Sequence, residues 1–138
     1  MVDEVLSRMS LSEISLAIAK REVSSQEVVR NSLEELEKRG PSLNCLARLF
    51  QEQALDEAES ADQELSSGNV RGPLHGVPLL HKDMFYRTGK ISACGSKICE
   101  NYVPDLTATA LLKLDKAGAL DIGRLNMVEF AYGLTGHN

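Results

Sequence analysis

The sequence has no tryptophan, and its few other aromatic residues make up 4% of the chain. It also lacks any stretch that approaches the roughly 18 consecutive apolar residues of a membrane-spanning helix. The first residues carry neither the basic region nor the apolar region of a secretory leader. These absences argue against secretion and against membrane spanning, and we expect the protein in the cytoplasm.

Positive charge is scarce as well: 15 Lys and Arg stand against 20 Asp and Glu, and no extended basic cluster occurs. Because nucleic-acid surfaces are usually basic, we expect no direct contact with nucleic acid. The three cysteines, Cys45, Cys94 and Cys99, form no Cys-x-x-Cys pair and have no histidine at zinc-ligand spacing. They fit reduced thiols. No phosphate-binding Gly-x-Gly-x-x-Gly sequence is present either. We expect neither a metal nor an organic cofactor.

The composition is that of a soluble folded domain, with 43% hydrophobic and 25% charged residues. A polar loop near residue 70 separates two kinds of sequence. We therefore predict that residues 1–138 belong to one domain, in which residues 1–70 form a helical scaffold and residues 71–138 form part of the core that carries the site.

Helices dominate the predicted scaffold. Two Ser-x-x-Glu sequences, which begin at Ser10 and Ser24, have the spacing of helix capping boxes and precede periodic apolar residues. We expect Gly40 and the proline after it to end the second helix. Residues 45–50 are expected to form a strand. Residues 51–65 are expected to form a third helix, whose acidic face is solvated and whose opposite face is apolar.

Helices and strands alternate in the remainder. A helix is expected to begin at residues 107–109 and to stop at Gly118, before a strand over residues 119–122 and a short helix over residues 127–132. This alternation predicts an α/β fold with a sheet covered by helices. For Asn126 and Glu129, capping of the last helix is favoured over a role in the wall of a site.

The run over residues 72–83 reads Gly-Pro-Leu-His-Gly-Val-Pro-Leu-Leu-His-Lys-Asp, a turn followed by a short apolar segment that ends at Lys82. Pro78 cannot donate to a sheet, so a strand here is short or begins at an edge. Lys82 is either an ordinary solvated charge or a partly buried amine that acts as a base. In an extended segment His81 would point to the opposite face and would not share that role.

This run matches the pattern G-P-L-x-G-[IV]-P-x-x-x-K-D, and the chain resembles the amidase signature family there. The resemblance continues in the family's order through residues 93–96, 117–119 and 123–133. It implies N-terminal helices followed by part of a mixed β-sheet covered by helices. The chain departs from the family at Asp121, in a strand that is more often apolar, and at Arg124, where lysine is common.

The resemblance implies a Ser, cis-Ser, Lys triad that cleaves amide C–N bonds through an acyl-enzyme, with Lys82 as the lysine. Both serines are expected beyond residue 138, so the chain is predicted to be an N-terminal portion that is inactive alone. Ser92 and Ser96 lie outside the family's serine context and are interpreted as turn residues. The expected partners are a small amide substrate and the missing C-terminal part, with a homo-oligomer left open.

Three functions stay open at this point. The first is an amidohydrolase, and the second is the A subunit of a tRNA-dependent amidotransferase from the same family. The third is a non-enzymatic interaction or structural module. The residues that would bind the substrate are not identifiable from the sequence.

Overall fold

The computed structural model describes residues 5–136 of the chain. The outermost residues of the predicted 1–138 domain, including His137 and Asn138, lie outside this described part. The described elements follow one another as helices α1 (Leu11–Ala19) and α2 (Ser25–Leu43), strand β1 (Leu46–Leu49), helix α3 (Gln51–Ser66), strand β2 (Pro78–Lys82), helix α4 (Thr109–Lys116) and strand β3 (Leu120–Leu125). Single 3-10 turns cover Lys97–Cys99 and Glu129–Ala131.

Both predicted capping boxes are confirmed. The Ser10 hydroxyl accepts a hydrogen bond from the backbone of the N3 glutamate of α1, whose side chain bonds back to the backbone of Ser10. Ser24 forms the same reciprocal pair at the start of α2. Each box satisfies two N–H groups that an α-helix leaves unpaired at its first turn.

The predicted end of α2 at Gly40 is wrong, because the helix continues through Pro41 to Leu43. Gly40 is a packing position: a Cβ there would lie 2.6 Å from Cδ1 of Leu46. The helix stops at Asn44, whose left-handed backbone conformation (φ 48°) ends the helical path.

The three strands form one mixed sheet in the order β1-β3-β2. Strand β3 runs antiparallel to β1 and parallel to β2. Helix α4 lies in the crossover between the parallel strands, as parallel pairing requires. Strand β2 has five residues, begins at Pro78 and lies at an edge of the described sheet, which agrees with the constraint that this proline sets.

Helices α2 and α3 cover the sheet through an aliphatic cluster that joins both to β3. The aliphatic cluster consists of Val29, Leu33, Ala54, Ala58, Leu120 and Ile122. A second apolar cluster contains Leu6, Ile18, Val28, Leu65 and Val77. The α/β fold class is thereby confirmed. Because β1 pairs with β3, the two predicted parts of the domain share one sheet, and their boundary near residue 70 stays a prediction.

Candidate active site

Lys82 is the last residue of β2, level with Leu125 at the end of the parallel strand β3. Its side chain is exposed, whereas the residues on either side of it, His81 and Asp83, are 7% and 2% exposed. The ammonium group makes no hydrogen bond or ion pair with any residue of the described chain. Of the two states expected for Lys82, residues 5–136 show the solvated one, because no described segment covers this end of β2.

The burial of His81 and the exposure of Lys82 confirm that the two side chains lie on opposite faces of the strand. Successive residues of a β-strand point to alternate faces, so a single strand presents one side chain to solvent and the other to the protein interior. Lys82 is consequently free to meet a ligand or further polypeptide, and His81 is not.

Asp83 anchors the chain directly after Lys82. Its backbone N–H donates to the carbonyl of Leu125 at 3.2 Å. Its Oδ2 accepts hydrogen bonds from Nη1 of Arg48 and from the backbone N–H of Ala93, each at 3.2 Å. The carboxylate thus joins strands β1 and β2 to the loop around residue 93, and it fixes the position at which β2 ends.

Two loops converge beside this strand end. The backbone N–H of Cys94 donates to the carbonyl of Asp83 at 3.0 Å, and the carbonyl of Cys94 accepts from the N–H of Phe130 at 2.8 Å. Cys94 and Phe130 have φ values of 53° and 51°, in the left-handed region that non-glycine residues rarely occupy. Such conformations persist where surrounding contacts fix them, and they are enriched at functional sites.

The loop after β3 corrects two predictions. In place of a short helix over residues 127–132, a single 3-10 turn spans Glu129–Ala131 with non-helical geometry at Phe130. Asn126 caps no helix, since its side-chain amide donates to the carbonyl of Asn44 at 3.1 Å. The Glu129 carboxylate does not contact the N-terminus of an α-helix either, because Oε1 accepts a hydrogen bond from the Ser96 hydroxyl at 2.6 Å.

The serines of the described chain do not form a pair with Lys82. Ser96 is held by Glu129, and its hydroxyl oxygen also accepts from the backbone of the following 3-10 turn. Ser92 is fully buried, and its Oγ has no hydrogen-bond partner within residues 5–136. Both serines lie in the loop next to the strand end, in agreement with their interpretation as loop residues.

A group of ionisable side chains that the sequence analysis did not connect contacts the buried residue before Lys82. We call it the ion cluster, and it consists of His81, Arg87, Asp115, Asp121 and Arg124. Nη1 of Arg124 donates to Oδ1 of Asp121 at 2.6 Å, and Nε of Arg87 lies 2.7 Å from Oδ2 of the same carboxylate. Arg87 also forms two hydrogen bonds with Asp115, at 2.8 and 2.9 Å.

Both departures from the family pattern thus lie in the ion cluster and contact each other. The signal available in the sequence was an aspartate and an arginine three residues apart in an otherwise apolar strand. Burial lowers the pKa of the His81 imidazole below its ordinary value of 6.5, although the nearby Asp121 carboxylate opposes the shift. His81 is consequently a neutral ring at pH 7, 3.8 Å from Oδ1 of Asp121.

The described residues contain no group of three His, Cys, Asp or Glu side chains placed to hold a metal ion. Cys45, Cys94 and Cys99 are free thiols, and burial raises the pKa of Cys94. Within residues 5–136, no helix combines the length and the apolar character needed to cross a membrane.

A sequence model of the family described as Amidase matches residues 27–138, which is most of the chain. The chain belongs to this amidase family. The resemblance that was recognised from residues 72–133 is thereby confirmed. Solved structures with the same fold include amidase signature enzymes, so the architecture that the resemblance implied is confirmed too.

Similarity to individual relatives also supports membership of this family. The chain is 44% identical over 124 residues to the A subunit of the glutamyl-tRNA(Gln) amidotransferase from Bdellovibrio bacteriovorus, covering 90% of this chain and 25% of the relative. It superimposes on the peptide amidase of Stenotrophomonas maltophilia with a TM-score of 0.81 and 28% identity, covering 89% of this chain and 26% of that one.

A second similar structure comes from work on a vestigial protein complex and the origins of an s-triazine catabolic enzyme. Its TM-score is 0.85 at 34% identity, and the alignment covers 92% of this chain and 28% of that one. The chain therefore spans about a quarter of the length of the curated relatives that it matches.

Proposed function

We propose that this chain supplies the lysine base of an enzyme that cleaves amide C–N bonds through a Ser, cis-Ser, Lys relay. The observation that carries the proposal is the presentation of Lys82: an exposed amine at the carboxyl end of β2, held between two buried residues. Membership of the amidase family supports the class of reaction. The two serines of the relay belong to polypeptide other than residues 5–136.

In the proposed relay, the neutral amine of Lys82 accepts the proton of the cis-serine hydroxyl, which in turn accepts the proton of the nucleophilic serine. The nucleophile forms a C–O bond to the amide carbonyl, the C–N bond breaks, and the departing amine takes up a proton. Water then releases the acyl group. A base within hydrogen-bond reach is needed because a serine hydroxyl is a weak nucleophile. Further polypeptide that covers Lys82 would remove water and favour the neutral amine.

The two enzymatic candidates differ in where the released ammonia or amine goes. In an amidohydrolase, the released ammonia or amine leaves the enzyme. In the A subunit of an amidotransferase, released ammonia reaches an acceptor with the help of partner subunits. The 44% identity to the A subunit of a glutamyl-tRNA(Gln) amidotransferase supports this second candidate. The negative charge of the chain is unfavourable for direct contact with tRNA.

The experiment uses a chimera in which residues 1–138 replace the matching segment of the Bdellovibrio bacteriovorus relative. Ammonia release from a panel of primary amides, glutamine included, measures activity. We expect Lys82→Ala to lower kcat at least about 100-fold, the lower range for loss of a general base. Lys82→Arg should be no better, because arginine stays protonated.

The matched control is Lys113→Ala, which removes an exposed lysine from α4, and it should leave kcat unchanged. Residues 1–138 alone should release no ammonia. A chimera that keeps its turnover with Lys82→Arg would refute the assignment of Lys82. If the parent chimera is active only with added partner subunits and glutamyl-tRNA, the amidotransferase is supported over the hydrolase. A folded but inactive parent chimera would favour a non-enzymatic module.

A further inference from the structure

The residues next to Lys82 are held by different contacts. Asp83, which follows it, is tied to Arg48 and to the backbone at residue 93. His81, which precedes it, is 7% exposed and faces Oδ1 of Asp121 at 3.8 Å. Because His81 is paired in register with Arg124 across the parallel strands, the ion cluster meets β2 one residue before Lys82.

Asp121 is the centre of the ion cluster. It lies in the central strand between Leu120 and Ile122, which are 1% and 2% exposed, and it is itself 6% exposed. An unpaired carboxylate in such surroundings is strongly unfavourable. Its Oδ1 accepts a hydrogen bond from Nη1 of Arg124 at 2.6 Å, and its Oδ2 lies 2.7 Å from Nε of Arg87. Two guanidinium groups therefore neutralise the carboxylate.

Arg124 depends on Asp121 in the same way. Its side chain is fully buried, and Nη1 bonds to Asp121 and to the carbonyl of Gly123. Within residues 5–136, Nε and Nη2 have no hydrogen-bond partner. In the described chain Asp121 is the carboxylate that this guanidinium contacts, so loss of Asp121 would leave Arg124 as a buried and uncompensated charge. Loss of Arg124 would leave Asp121 with Arg87 as its cationic neighbour.

We propose that Asp121 and Arg124 act as one positioning pair that sets the place of Lys82 through His81, an inference that rests on the proposed function of Lys82. Two aliphatic residues could fill the same volume in the central strand at little cost in stability. A carboxylate held between two arginines does something that aliphatic packing does not: it keeps charged groups at fixed positions against the His81 ring, 3.8 Å away, and thereby fixes the strand end. The pair is therefore a positioning device, and Lys82 remains the catalytic residue.

Hydrogen exchange of residues 1–138 tests the positioning without any assay of activity. Asp121→Asn keeps the shape of the side chain and removes its charge, and Arg124→Met removes the guanidinium. We expect each variant to speed exchange of the Asp83 amide, which donates to the carbonyl of Leu125 directly after Lys82, about tenfold. The amide of Ala58, in α3, should change less than about twofold. Arg124→Lys, which keeps the charge, should restore most of the protection.

Activity in the chimera separates positioning from stability. Asp121→Asn should lower kcat about tenfold with KM unchanged, since a small misplacement of a catalytic group is costly. Asp115→Asn is the matched control, because Asp115 pairs with Arg87 and makes no ion pair with His81. This variant should keep kcat within about twofold. The joint variant Asp121→Leu, Arg124→Leu should melt like the parent while kcat stays low.

Three results would overturn the inference: a joint variant with parental kcat, Asp121→Asn with unchanged exchange at Asp83, or equal acceleration of exchange at Ala58. If Asp121→Asn fails to fold, the kcat of the joint variant alone tests the inference. Lys82→Ala measured in the same chimera keeps the two proposals apart. An active Lys82→Ala variant refutes the function, whereas an inactive one together with a fully active joint variant refutes only the positioning pair.

Discussion

The aliphatic cluster and the ion cluster both use β3, yet they hold the protein together by different physics. In the aliphatic cluster, Leu120 and Ile122 pack on small residues of α3 and on α2, and burial of apolar surface has no preferred direction. In the ion cluster, Asp121 lies between those same two residues in sequence and is neutralised by guanidinium groups at defined positions. Neighbouring residues of one strand therefore serve cohesion and orientation separately.

This difference bears on how each cluster responds to substitution. An aliphatic position tolerates another apolar side chain of similar volume, because packing contacts are many and individually weak. The Asp121 carboxylate has two cationic partners, and the loss of one changes the balance of charge in a buried place. We therefore expect the aliphatic cluster to determine how stable the fold is, and the ion cluster to determine where the end of β2 lies.

The largest expected effect comes from breaking the aliphatic cluster. Leu120→Ala removes a side chain that is 1% exposed and leaves a cavity between β3 and the helices. The free energy of unfolding should fall by about 2–5 kcal/mol, as measured by urea denaturation. Leu112→Ala on α4 is the control, since Leu112 is 53% exposed and should change stability by less than about 1 kcal/mol. Equal losses for the two variants would show that the cluster does not dominate stability.

Removal of a helix cap should lower the free energy of unfolding less than the loss of a residue from the aliphatic cluster. Ser24→Ala removes the hydroxyl that caps α2 and should cost about 1 kcal/mol. Asp62 limits the loss, because its carboxylate accepts the N–H groups of Ser25 and Gln26 at 2.7 and 3.1 Å. Ser10→Ala at the start of α1 provides the comparison without such support. If urea denaturation finds Ser24→Ala as costly as Leu120→Ala, a helix cap contributes as much as a core residue of the cluster, and the contrast fails.

Features that depend on a few neighbouring residues were predictable from the sequence. The capping boxes at Ser10 and Ser24, the strand over residues 45–50 and helix α3 follow from local spacing and periodicity. The motif that ends at Lys82 was recognisable for the same reason, since its residues are contiguous. Pro78 predicted that β2 is short or begins at an edge, and the five-residue strand at the edge of the described sheet agrees with this.

The failures concern contacts between distant segments. Gly40 signalled a helix end locally, but its contact with Leu46 made it a packing residue instead. Glu129 looked like a residue of a helix N-terminus, but its partner is Ser96, 33 residues away. The exposure of Lys82 depends on which other segments cover β2, and spacing along the chain does not encode that.

The smallest expected effect, the pH dependence of the ion cluster, distinguishes it from the aliphatic cluster most directly. His81 faces Asp121 and Arg124 from β3, Arg87 from the loop after β2, and Asp115 from α4. Burial lowers its pKa in the folded state, so the unfolded chain binds the proton more readily as the pH falls below about 6.5. Stability linked to His81 is therefore complete above that pH and declines below it. Linkage limits the loss at pH 6 to about 0.8 kcal/mol.

The measurement is the free energy of unfolding by urea at pH 7.5, 6.5, 6.0 and 5.5, for the parent chain and for His81→Gln, which cannot titrate in this range. The difference between the two curves isolates His81 from every group whose titration they share. It should be flat above pH 7 and should grow toward acid, with the parent losing stability relative to the variant. Leu120→Ala should lower the whole curve without changing its shape, because an aliphatic side chain binds no proton. A flat difference between parent and His81→Gln would mean that His81 is accessible to water in the folded chain. The ion cluster would then show no pH dependence at His81 that distinguishes it from the aliphatic cluster.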